Sequence, residues 1–171
     1  MKILIMSADN FEDTELLVPY YRFREDGIHV DVASLKKGTI KGKRGYEVTV
    51  DKTLQEIDPR EYEALILPGG KAPGILRQDI YALEIAKHFF QEDKPVSSIC
   101  HGPQILISAG LLKGKKSTSY KSVAKELKDA GAVYEDKEVV IDGNLITSRQ
   151  PSDIPAFMRE TMKMVKKRKS K

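Results

Sequence analysis

Cysteine is nearly missing from this chain. Its 171 residues hold one, Cys100, so no disulfide can close within it. Three histidines (His29, His88, His101) with that single thiol are too thin a supply for a structural zinc site. No apolar run approaches the ~18 residues that a membrane-crossing helix needs. The opening stretch, residues 1–6, is apolar too briefly for a secretory signal, and no small-residue cleavage site follows it. A cytoplasmic protein with no membrane role is therefore expected. Internal repeats, low-complexity tracts outside the C-terminus and domain-dividing linkers are also missing. What is present, 40% hydrophobic and 32% charged residues, suits one globular domain over residues 1–167 with a short basic tail at 168–171.

The formal net charge is +4, from 29 basic against 25 acidic residues. Six of the cations crowd into residues 163–171 with no acid among them, which leaves a net charge of −2 on residues 1–162. A basic final turn complements the carbonyl end of a helix and stays solvated. Nucleic-acid binding would instead spread the charge as a stripe over a folded face, so no such partner is expected.

Lys2–Ser7 is an apolar run of strand length, the pattern of a strand buried on both faces of a parallel sheet. Phe11–Asp26 carries Leu16, Leu17, Tyr20 and Phe23 on a helical spacing and stops at Gly27. His29–Ala33 follows as a second strand, completing a right-handed β-α-β crossover. Gly38–Val50 alternates and predicts a small hairpin inserted at the edge of the sheet. Strands are expected at Ala64–Leu67, stopped by Pro68-Gly69-Gly70, and at Val96–Ile99. Helices are expected at Tyr81–Gln91, Gln104–Ala109, Val123–Ala130 and Ile154–Lys167. A final hairpin joins Val139–Ile141 to Leu145–Thr147 across an Asp-Gly turn. This order predicts an α/β three-layer sandwich around a mostly parallel sheet.

In such sheets ligands bind beyond the carboxyl ends of the strands, where three stretches converge: Asn10–Asp13, Gly69-Gly70 and Cys100–Pro103. Ser98-Ile99-Cys100-His101-Gly102 puts a nucleophile on a sharp strand-to-helix turn, with Pro103 suited to the first helical turn. Free N–H groups at a helix start favour an anion, so the Cys100 thiol is expected to ionise more easily than an ordinary one. The His101 amide and an amide from the Gly69-Gly70 loop then outline an oxyanion hole. Most lone cysteines are small buried hydrophobes, but the elbow around Cys100 favours the nucleophile. The His101 ring either reaches the sulfur or merely packs. Glu12 either complements a helix N-terminus or shares a proton with Cys100.

Four segments together resemble the ThiJ/PfpI family, particularly the PfpI-type intracellular proteases: ALILPGG (64–70), SICHGP (98–103), NFEDTEL (10–16) and TSRQPSD (147–153). The resemblance covers nearly the whole chain. It implies a flavodoxin-like sandwich related to class I glutamine amidotransferases, assembled as a homodimer or a hexamer of dimers. It makes Cys100 the nucleophile, His101 its neighbouring histidine, Glu12 the acid that holds the cysteine, Gly70 and His101 the oxyanion amides, and Tyr120 a pocket residue. No metal or cofactor is implied. Members act as ATP-independent peptidases, as glyoxalases, and as deglycases on proteins and nucleotides.

One departure matters. PfpI-type proteases carry a glutamate after the double glycine, donated across a subunit interface to orient the histidine, and here Gly74 stands at that place. Losing such a partner costs on the order of 10⁴ in rate in a serine-protease triad. Carbonyl chemistry suffers less, because an aldehyde is far more electrophilic than an amide and accepts sulfur directly. The sequence thus points to a cysteine enzyme acting on small aldehydes or on glycated proteins and nucleotides, with peptide hydrolysis second. A redox sensor or chaperone built on oxidised Cys100 is the non-enzymatic alternative. A dinucleotide fingerprint and a correctly spaced P-loop are both missing.

Overall fold

The computed structural model describes residues 1–169. Its elements run β1 (Lys2–Met6), α1 (Asp13–Glu25), β2 (His29–Ser34), β3 (Gly38–Lys41), β4 (Glu47–Val50) and β5 (Lys52–Thr53). Next come β6 (Ala64–Leu67), α2 (Ala72–Leu76), α3 (Ile80–Gln91), β7 (Val96–Ile99) and α4 (Pro103–Ser108). The chain closes with β8 (Lys116–Ser117), α5 (Ala124–Asp129), β9 (Val133–Tyr134), β10 (Val140–Asp142), β11 (Leu145–Ser148) and α6 (Ile154–Lys169).

Seven strands form one sheet in the order β10-β11-β7-β6-β1-β2-β5, parallel except where β10 pairs antiparallel with β11. β6 and β7 are buried along their whole length and β1 along all but its first residue, as expected of strands covered on both faces. From β1 the chain crosses by α1 to β2 on one side, and from β6 it crosses by α3 to β7 on the other. Crossovers of one hand in opposite directions put their helices on opposite faces. The strand order therefore reverses between β1 and β6, and the crevice beyond their carboxyl ends is where such a sheet leaves room for a ligand. The loops after β1, β6 and β7 meet there.

Several boundaries differ from the sequence expectation, each for a physical reason. α1 starts at Asp13 rather than Phe11 because Phe11 is bridged to Gly70 and Glu12 stays extended as the N-cap. β3 and β4 make the expected hairpin, but as a separate two-stranded sheet; the edge of the main sheet is the short β5 that follows. α2 has the composition of a loop, Ala-Pro-Gly-Ile-Leu, yet its proline stands in the first helical turn, where no N–H is required. α6 runs through Arg168 and Lys169, two of the four residues read as a tail, and the Arg168 Nε donates to Glu63 at 3.2 Å. Residues 170–171 lie outside the described residues. Among the described residues, no helix is long and apolar enough to cross a membrane.

Candidate active site

Three residues separate the end of β7 from the start of α4, and the chain turns within them by placing Cys100 at φ +63°. A residue with a Cβ adopts this left-handed conformation at a cost of roughly 1–2 kcal/mol. Backbone bonds hold it there: the Cys100 N–H donates to the Ser148 carbonyl at 3.0 Å, and the Tyr120 N–H donates to the Cys100 carbonyl at 2.9 Å. Gly102 completes the elbow, because a Cβ there would collide with the Leu67 carbonyl and stand 2.5 Å from Ser98 Oγ. Cys100 is 8% exposed and lines a cleft of about 900 Å³, so the residue borders open space rather than being sealed in the core.

Two amides face the sulfur, those of Gly70 and His101. The Phe11–Gly70 bridge explains why the first is free to do so. Its hydrogen bonds run through neighbouring groups, from Glu12 N–H to Gly69 O at 3.2 Å and from Lys71 N–H to Asn10 O at 2.8 Å. The N–H of Gly70 is left out of that ladder, and its φ of +77° turns it toward Cys100.

The carboxyl group lying against Cys100 is that of Glu15, not Glu12. Glu15 is fully buried, and its Oε2 accepts the Gly69 N–H at 2.7 Å. Burial, reinforced by the charge of Glu12, pushes its pKa up to about 8 against the Gly69, Cys100 and Lys43 contacts, so it holds a proton at neutral pH. Glu12, expected to hold the cysteine, instead accepts from Lys43 Nζ at 2.6 Å and lines the cleft. Asp13 delivers that lysine: its two carboxylate oxygens take the N–H groups of Arg44 and Tyr46 at 2.9 and 3.1 Å, pinning the β3–β4 turn over the site. Sequence alone offered one pointer to Glu15. It lies three residues after Glu12, on the same side of α1, and directly before the apolar Leu16-Leu17.

The easily ionised thiol is a second correction. Burial, followed by the charge on Glu15, pushes Cys100 up to about 12, outweighing the Gly70 and His101 amides and the six-residue helix behind them. Cys100 and Glu15 thus titrate as a coupled pair that shares one proton over the range between their two ionisations.

His101 settles the choice between packing and reaching: it does both. Its Nδ1 lies 3.3 Å from Cys100 Sγ, and its ring stacks on Tyr120 with centroids 5.3 Å apart and planes at 29°. Burial, then the nearby Lys43 charge, lowers its pKa, while Glu126 opposes them; the ring is neutral near pH 7 and able to accept a proton. Gly74 also borders the cleft, with nothing within 4 Å of where a Cβ would stand, so no carboxylate reaches His101 from that position.

Gly69 makes the close approach of β6, α1 and the elbow possible. A Cβ on it would stand 2.6 Å from Glu15 Oε2 and 2.7 Å from Cys100 Cβ. Gly69→Ala is therefore expected to lower stability by about 1–3 kcal/mol and to disturb thiol and carboxyl together. Urea denaturation beside thiol alkylation would show both effects, and an unchanged midpoint would count against this packing.

Three comparisons place these features among known proteins. The model of the DJ-1/PfpI family matches residues 1–164. The chain is 54% identical over 166 residues to Deglycase PfpI of Pyrococcus furiosus, covering 97% of this chain and 100% of that protein. It is 44% identical over 167 residues to Protein/nucleic acid deglycase 2 of Escherichia coli, covering 96% and 97%. Among solved structures, a two-domain Anabaena variabilis protein with DJ-1/ThiJ/PfpI-like and ferritin-like domains matches with a TM-score of 0.93 and 35% identity, over 95% of this chain and 47% of that one.

Proposed function

This chain belongs to the DJ-1/PfpI family, and from that premise we propose that it is a cysteine-dependent, cofactor-free enzyme acting on reactive carbonyls, as a glyoxalase or as a deglycase of proteins or nucleotides. Cys100 is the nucleophile in this reading. The observation that carries it is the surround of one sulfur: two backbone N–H groups, a buried carboxyl and an imidazole nitrogen at 3.3 Å, all at the floor of an open cleft.

The thiol is protonated at rest, so attack and proton transfer go together. As sulfur bonds to the carbonyl carbon, its proton passes to His101 Nδ1 and the carbonyl π electrons move onto oxygen. Negative charge then develops beside the Gly70 and His101 amides, which are already oriented and lose nothing to reorganisation. Return of the proton to oxygen gives a hemithioacetal. Moving the hydrogen from the former carbonyl carbon to its neighbour, and the hydroxyl proton to the neighbouring oxygen, converts a 2-oxoaldehyde adduct into a 2-hydroxy thioester, and water releases the 2-hydroxy acid and the thiol. Tyr120 supports the ring that carries the proton. Peptide hydrolysis asks more of the same groups, because an amide is a poorer electrophile and needs a protonated leaving amine.

Incubating the purified protein with methylglyoxal, and separately with a methylglyoxal-modified lysine derivative, tests the reading. Release of lactate from the first, or of lactate and free amine from the second, is expected. If neither substrate is turned over while Cys100 accumulates as a stable sulfinate by mass spectrometry, the redox-sensor alternative takes its place.

The proposal also takes the chain as one domain working in the cytoplasm as a homodimer or a hexamer of dimers. Exposed Tyr21 and Tyr46, whose hydroxyls lie 3.3 Å apart, and the adjacent exposed Ile80 and Tyr81 offer paired apolar surface that supports an assembly. Sedimentation at the mass of one chain would remove that part.

A further inference from the structure

The outer nitrogen of the His101 ring also has a partner. Nε2 lies 3.3 Å from the hydroxyl of Ser122, on the side of the ring away from the sulfur. We propose that Ser122 is a positioning residue for His101: its hydroxyl accepts the Nε2 proton, leaving the Nδ1 lone pair directed at the Cys100 thiol.

The argument is geometric. Stacking on Tyr120 fixes the plane of the imidazole but not its rotation within that plane. A flip about the ring's attachment would replace Nδ1 and Nε2 by carbons and lose both 3.3 Å contacts, so the Cys100 and Ser122 contacts together select one orientation. The tautomer follows from both contacts: the protonated Cys100 thiol donates to Nδ1, which leaves the ring proton on Nε2, facing Ser122. A hydroxyl can accept the Nε2 proton in the neutral ring and keep accepting it in the imidazolium, when both nitrogens carry hydrogen.

The same turn supplies both supports. Residues 121–123 form a short 3₁₀ helix with Tyr120 as its N-cap, and the Tyr120 N–H donates to the carbonyl of Cys100 itself. The segment that grips the base is thereby fastened to the backbone of the nucleophile. The charges facing the ring are Lys43, from the β3–β4 turn, and Glu126, from α5; Glu126 is itself held by Arg77 from α2 and by Gln104 from α4 at 3.4 Å. Both act on the ring through charge, while the hydrogen bond at Nε2 is the one to Ser122.

The inference rests on the proposed carbonyl chemistry for its kinetics but not for its spectroscopy. Ser122 is exposed, so Ser122→Ala should fold normally. In the wild type, ¹H–¹⁵N NMR of the His101 ring should show Nε2 protonated and Nδ1 bare at neutral pH. Losing the acceptor weakens the imidazolium more than the neutral ring, so Ser122→Ala should move the His101 titration, and the acid limb of kcat/KM, to lower pH by about 0.3–0.5 unit. It should cut kcat about three- to ten-fold with KM nearly unchanged, and Ser122→Thr should restore both. A proton on Nδ1 in the wild type, or a titration and kcat that Ser122→Ala leaves untouched, overturns the proposal. If the wild type turns over no carbonyl substrate, the carbonyl reading fails separately and the ring titration alone decides the role of Ser122.

Discussion

Cys100→Ser should lose carbonyl turnover almost completely, with kcat falling by about 10³–10⁴. The expectation follows from how the site divides its work. Gly70 and His101 contribute backbone amides that no side-chain change at Cys100 removes, and the elbow is held through main-chain atoms, its N–H donating to the Ser148 carbonyl and its carbonyl accepting from the Tyr120 N–H. The variant therefore keeps the binding site and the donors for developing charge but exchanges a polarisable sulfur for a hydroxyl that ionises far less readily. The serine hydroxyl is close to the thiol in size and meets the Gly70 and His101 amides and the Glu15 carboxyl as hydrogen-bond partners, so the exchange should hardly alter the melting temperature. Turnover of methylglyoxal above a tenth of the wild-type rate, in protein with a normal melting curve, would mean that the reaction uses another group.

Glu15→Gln should change the pH dependence of stability more than any other single substitution at this site. Below pH 4.5 folded and unfolded chains both hold the Glu15 proton. As pH rises, the unfolded chain releases it near 4.5 and the folded chain only near 8, so the wild type loses stability steadily across that window. At about 1.4 kcal/mol per pH unit the full loss is on the order of 4–5 kcal/mol. Glutamine still accepts the Gly69 N–H but cannot ionise, so the variant should escape the decline and be the more stable of the two at pH 8. Urea titrations at pH 5 and pH 8 for both proteins measure this directly. Parallel losses in the two would show that Glu15 is not held protonated.

Much of the fold was legible because it depends on local pattern. The apolar stretches of β1 and β6 are buried along nearly every residue, as strands covered on both faces require, and β7 is buried throughout although two of its four residues are serines. The glycine and proline signals ended elements close to where they end in space. The hairpin at Gly38–Val50 was also legible as a hairpin, but not its separation from the main sheet, since alternation shows which side chains share a face and not which strand lies alongside. α2 was hidden because five residues containing proline and glycine carry no helical pattern of their own; contacts with α4 sustain it.

The candidate site divides in the same way. Cys100, His101 and Gly70 were legible because each sits beside a local signal, the elbow or the double glycine, whereas Tyr120 came only from the family resemblance; the fold brings all four to one cleft. Glu12 and Glu15 could not be told apart from sequence, because both stand at the start of one helix and only the approach of the Gly69 loop shows which is enclosed against the sulfur. Ser122 bore no signal at all.

Chain chemistry by itself determined the order of strands and helices and the position of the one sulfur at a turn, since these are set by residues adjacent along the backbone. Tertiary packing alone decided which acid meets that sulfur, how tightly the sulfur keeps its proton and what holds the imidazole, because desolvation and hydrogen bonding depend on groups from distant segments brought within a few ångströms.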